Sequence, residues 1–126
     1  MAVLVDSSVW IDYFRGGGKS EKLDYFIDEN ILVTNDLILA ELIPFLMLSN
    51  QRKPIRLLES VERLEMRIDW RQIVDFQYRC LKNGVNRIGI PDLIIAQNAL
   101  QNECVLFSLD RHFVLMNATL ELPIIQ

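Results

Sequence analysis

The sequence predicts an α/β domain with a mostly parallel central sheet flanked by helices. Three observations predict it. Short apolar runs alternate along the chain with longer amphipathic segments. Of the 126 residues, 51% are hydrophobic and 24% charged, the composition of a folded protein rather than a disordered one. No repeat, low-complexity tract or linker divides the chain, and its length suits one domain over residues 1–126.

Val3–Asp6 reads as a first buried strand. Two short helices are expected around the Gly16-Gly17-Gly18 run. Ile31–Thr34 reads as a second strand. Asn35 can cap a helix over Asp36–Leu48, which Pro44 should kink. Pro54 suits the first turn of a helix running to about Arg63, and Leu64–Ile68 is a weakly marked third strand. Asp69 can cap a helix whose Ile73, Phe76, Cys80 and Leu81 form an apolar stripe, with Gly84 beyond its end. Pro91 opens another helix, with Leu93, Ala96 and Leu100 on one face. Cys104–Phe107 reads as a buried strand, Arg111–Met116 as a short helix. Leu122–Ile125 is a possible edge strand, against which Pro123 counts.

Composition excludes several classes. Two isolated cysteines, Cys80 and Cys104, make neither a disulfide scaffold nor a zinc ribbon, and they fit a reduced, cytoplasmic setting. The N-terminus lacks the early positive charge of a signal peptide. The longest apolar stretch, Leu37–Leu48, carries Glu41 and Pro44 and falls short of the roughly 20 residues of a membrane span. Thirteen Lys and Arg against seventeen Asp and Glu leave a net charge of −4. That argues against holding nucleic acid by bulk charge. It leaves room for a nuclease with a local basic groove, or for a basic protein partner.

Most acids lie in mixed polar stretches, but four do not. Asp6 closes the strand VLVD. Glu41 is the only charge between Leu37 and Leu48, where ten of twelve residues are hydrophobic. Asp92 follows Pro91 in IGIPDLIIA, and Asp110 follows VLFSL. An isolated carboxylate in apolar surroundings shifts its pKa or finds a positive partner. A helix apolar all round should be buried, which would leave Glu41 no route to bulk water. Singly, each acid has an ordinary role open to it: Asp6 and Asp110 as helix caps, Asp92 as a charge on a helix dipole, Glu41 paired with an arginine or lying at an interface. Together they lie at or beyond strand ends and in early helix turns, where sites form in open α/β sheets.

Such a cluster would not stay ionised unaided. Two carboxylates about 5 Å apart repel by roughly 3 kcal/mol at an effective dielectric of about 20. A hard divalent cation relieves this, and Mg²⁺ binds through a few carboxylates while keeping waters and phosphate oxygens. No His or Cys ligand is expected near these acids, which argues against zinc. The chemistry expected is phosphodiester hydrolysis by metal-activated water.

The segments VLVDSSVWIDYFRG, LILAEL, IPDLIIAQNAL and CVLFSLDRHF resemble, in their order and spacing, those of PIN-domain ribonucleases, especially VapC-type toxins of toxin–antitoxin pairs. The resemblance spans nearly the whole chain. It implies a PIN-like three-layer fold and Mg²⁺- or Mn²⁺-dependent endonucleolytic cleavage of RNA. It also implies a homodimer and inhibition by a cognate antitoxin. By the same likeness Asp6, Glu41, Asp92 and Asp110 are the catalytic, metal-binding acids, with Ser7 and Ser108 as supporting hydroxyls. One departure is that Leu93 follows the third acid, where the family more often has Ala.

Other signals are weaker. Gly16–Ser20 ends like a phosphate-binding loop, but the first glycine of that motif would fall at Tyr13. His112, the only histidine, reads as a surface or packing residue. Arg15, Lys19, Lys82, Arg87 and Arg111 flank the acids and are candidate RNA contacts. Trp10, Tyr13 and Phe14 suit a core or a dimer contact better than a base-stacking platform. A phosphoacceptor receiver would want an acidic pair after its first strand, where Ser7 follows Asp6, and a late lysine, whereas none follows Lys82. A haloacid-type phosphatase would want Asp at Ser8. The remaining alternative is a non-catalytic acidic module that docks a basic protein.

Overall fold

The computed structural model describes residues 1–126. Five parallel strands form one sheet: β1 (Val3–Val5), β2 (Leu32–Thr34), β3 (Glu62–Arg63), β4 (Val105–Phe107) and β5 (Ile124–Ile125), in the order β3-β2-β1-β4-β5. Every pairing is parallel, so the sheet is wholly rather than mostly so; Val3 pairs with Leu32 on one side and Val105 on the other. The strand order reverses between β1 and β4, a topology in which the helices of the two halves cover opposite faces. Val3, Leu4 and Val5 are all fully buried although successive side chains point to opposite faces. Both faces of β1 are therefore covered, which makes three layers.

Seven helices supply the cover: α1 (Ser7–Phe14), α2 (Lys22–Asp28), α3 (Asp36–Leu48), α4 (Arg52–Ser60), α5 (Trp70–Lys82), α6 (Ile90–Gln101) and α7 (Arg111–Leu120). Side-chain oxygens of Asp6, Asn35, Asp69 and Asp110 cap α1, α3, α5 and α7. Pro44 lies inside α3 without ending it. Ile73, Phe76 and Cys80 form the buried stripe of α5 at helical spacing, but Leu81 faces solvent.

The structure corrects several expectations. The third strand is Glu62–Arg63, not Leu64–Ile68. After Leu64 the chain leaves the sheet, and the carbonyls of Glu65 and Arg67 accept hydrogen bonds from Asn98 and Gln101 of α6. Helix α4 stops at Ser60 because Val61 turns extended to enter β3. Helix α7 runs on to Leu120, since Phe113, Met116 and Leu120 continue one buried stripe. Pro123 immediately precedes β5, so the edge strand forms without needing its missing N–H.

The Gly16–Ser20 segment is a tight return, not a phosphate loop. Gly16 takes φ +72° as α1 ends, and a Cβ on Gly17 would lie 2.0 Å from Asp12 Oδ1. The apolar helix α3 is only half covered. Phe45, Met47 and Leu48 are exposed, and Glu41 shares that accessible side instead of being shut away from water.

Candidate metal centre

The site forms beyond the carboxyl ends of β1 and β4, where the strand order reverses. Asp6 directly follows β1 and is 4% exposed. Its Oδ2 accepts hydrogen bonds from Ser8 Oγ at 2.7 Å and Ser108 Oγ at 3.0 Å. Its Oδ1 accepts none and remains available to a cation. Ser108 Oγ also accepts the Asp110 N–H at 3.0 Å, and Ser8 Oγ accepts the Leu109 N–H at 3.0 Å. Two hydroxyls thus fasten the β4–α7 turn to the Asp6 carboxylate.

Asp110 caps α7 through its Oδ1, which accepts the His112 N–H at 2.9 Å. Asp92 lies in the first turn of α6, whose N-cap Gly89 offers no side chain. The helix dipole favours a negative charge there. A buried amide pair positions the two remaining acid-bearing helices: Asn35, the cap of α3, donates Nδ2–H to Asn98 Oδ1 on α6 at 2.8 Å. Asn98 also donates to the Glu65 carbonyl at 3.1 Å.

Electrostatics couples Glu41 to Asp6 and Asp92, and Asp92 to Asp110 and Asp6. Burial, then the charges of Asp110 and Asp6, push the Asp92 carboxyl up to about 6, against a smaller opposing pull from His112. Partial desolvation, then Asp6 and Asp92, raises Glu41 above the ordinary carboxylate range. No salt bridge reaches Glu41 or Asp6. Neither Glu41 nor Asp92 has a hydrogen-bond partner among the side chains around it.

Sequence reasoning missed three residues. Ser7, at the start of α1, bonds none of the acids; the hydroxyl on Asp6 is that of Ser8, carried one residue further on by the turn into the helix. His112 is neither a plain surface nor a packing residue. Its Nδ1 lies 3.4 Å from Asp110 Oδ1 and 3.8 Å from Asp92 Oδ2, and one donor atom from each of the three groups falls within 4.8 Å of the others. A nitrogen donor therefore does stand among the oxygens. Asn98 was hidden in an apolar helix. A polar residue on an otherwise buried face was the available signal.

The basic candidates are less concentrated. Arg15 shares with Glu41 a cavity of about 220 Å³ whose walls include Ile11, Phe14, Leu42, Phe45 and Leu46. Arg111 adjoins Asp110 in sequence. Lys19, Lys82 and Arg87 are exposed and form no ion pair with the four acids. Lys82 instead sits over the Tyr78 ring at 5.9 Å.

Unpartnered carboxylate oxygens, mutual repulsion and a free Asp6 Oδ1 suit a hard divalent cation. Fold and site together define an α/β protein with an acidic centre at the switch point of a parallel sheet. The PIN domain profile matches residues 3–117, and the chain belongs to the PIN-domain family. None of the curated proteins matches it significantly.

Solved structures share the fold at low identity. VapBC2 from Rickettsia felis, crystallised with a DNA fragment from its promoter, superposes with a TM-score of 0.78 at 16% identity, covering 99% of this chain and 98% of that one. DNA-bound VapBC from Salmonella typhimurium gives 0.75 at 17%, covering 99% and 97%. VapBC-1 from nontypeable Haemophilus influenzae gives 0.74 at 22%, covering 100% and 98%.

Proposed function

We propose that this chain is a divalent-metal-dependent endoribonuclease, the toxin of a VapC-type toxin–antitoxin pair. The observation that carries the reading is the charge coupling of four carboxylates, two of which, Glu41 and Asp92, are raised by burial and by the charge of neighbouring acids. Asp6, Glu41, Asp92 and Asp110 would hold Mg²⁺ or Mn²⁺. Such an ion supplies water activation and charge neutralisation at a scissile phosphate.

The chain's own residues prepare the site. Ser8 and Ser108 fix the Asp6 carboxylate so that Oδ1 stays free. The Asn35–Asn98 bond sets α3 against α6. Arg15 and Arg111 are the basic residues best placed to meet RNA phosphate, while Lys19, Lys82 and Arg87 could extend that contact as exposed charges.

Two apolar surfaces suit the expected protein partners. The cavity beside Glu41, continuous with exposed Phe45, is where an antitoxin segment would block both substrate and metal access. Exposed Trp70, Val74, Tyr78 and Leu81 on α5 recur at helical spacing, a face suited to a second copy. No helix is long and apolar enough to cross a membrane, and the reading places the enzyme in the cytoplasm with its RNA.

The test is direct. Partner-free protein offered cellular RNA with Mg²⁺ or Mn²⁺ should cleave it internally. Asp6→Asn and Asp92→Asn should each lower the rate by at least about 100-fold, with circular dichroism unchanged. Intact RNA under both metals, alongside tight binding of a basic peptide, would favour the non-catalytic acidic module.

A further inference from the structure

We infer that His112 is a nitrogen ligand of this centre and biases it toward Mn²⁺ over Mg²⁺; the inference rests on the metal-site reading above. The imidazole Nδ1 points between two carboxylates at 3.4 and 3.8 Å. Both separations exceed an N–H···O hydrogen bond, which lies at about 2.7–3.2 Å. The nitrogen is spent on neither oxygen.

The separations suit donors that share a cation. Two ligands on opposite sides of an ion, each about 2.1 Å from it, lie about 4.2 Å apart, and adjacent ligands lie closer. The backbone fixes the placement. Asp110 caps α7, and its Oδ1 accepts the His112 N–H at 2.9 Å, which holds His112 in the first turn with its ring beside that carboxylate. Asp92 comes from the first turn of α6 on the other side.

The donor chemistry sets the preference. Carboxylate oxygens serve Mg²⁺ and Mn²⁺ alike, whereas Mg²⁺ gains little from imidazole. Mn²⁺ shares the preference of Mg²⁺ for oxygen but, as the softer transition ion, accepts an imidazole nitrogen more readily. Replacing one oxygen by nitrogen therefore costs it less than it costs Mg²⁺. A four-acid site without the histidine would lose that bias.

Calorimetric titration of the full chain with MnCl₂ and, separately, MgCl₂ tests this in wild type, His112→Gln and His112→Ala. In both variants the Mn²⁺ Kd should rise at least about tenfold, while the Mg²⁺ Kd moves less than about threefold. Pulsed electron paramagnetic resonance of bound Mn²⁺ should show a nitrogen coupling in wild type that both variants lose. Unchanged Mn²⁺ affinity without nitrogen coupling would overturn the inference and leave the four-acid site standing. Tighter Mn²⁺ binding in the variants would also overturn it, marking His112 as a counter-ion that metal displaces. Failure of wild type to bind either ion at millimolar concentration would remove both this inference and the metalloenzyme reading.

Discussion

Asp92 concentrates the chemistry in one titration. The folded protein holds its proton up to about pH 6, while the unfolded chain releases it near the ordinary value of 3.8. Raising pH across that window therefore destabilises the metal-free fold, because the unfolded state sheds the proton first. A bound cation reverses the preference, since it requires the ionised form. Mn²⁺ affinity should accordingly fall by at least about tenfold per pH unit below about pH 6. Titrations between pH 5 and 8 check this; a flat profile would mean Asp92 is not a ligand. At the same scale the sequence was only partly legible. The four acids stood out because each interrupts or ends an apolar run. Lone His112 did not, since nothing local shows that Asp92, twenty residues earlier, packs against it. Ser8 was passed over for Ser7 because which hydroxyl faces Asp6 depends on the turn into α1.

At the scale of elements, β1, β2 and β4 were readable because buried parallel strands are short continuous apolar runs. β3 was not, because its two residues, Glu62 and Arg63, are charged and exposed at the sheet edge. The exposure of α3 was also illegible. An apolar helix usually means burial, yet the outer side of α3 is left open beside the site, with Phe45 59% and Met47 63% exposed. The joint between α3 and α6 yields a prediction. Asn98→Ala removes the acceptor for the buried Asn35 amide and the donor to the Glu65 carbonyl. Urea unfolding should show a loss of about 1–3 kcal/mol. A loss below about 0.5 kcal/mol would show that the amide pair does not hold these helices.

For the whole molecule, the order β3-β2-β1-β4-β5 explains why acids from four distant segments feel one another's charge. The reversal opens a crevice between β1 and β4, and loops and helix starts from both halves converge on it. The reading also assigns α5 an external role. Val74→Lys, at a side chain 69% exposed, should leave the fold intact. By light scattering it should convert a dimer into a monomer. A wild-type monomer, or a variant still dimeric, would contradict that assignment.

Diffraction from a crystal soaked in MnCl₂, recorded with the manganese anomalous signal, tests the central claim most directly. The account predicts an anomalous peak about 2.2 Å from carboxylate oxygens of Asp92, Asp110 and Asp6 Oδ1, with Glu41 facing it. Ordered carboxylates with no peak between them, or a peak only elsewhere on the surface, would contradict it.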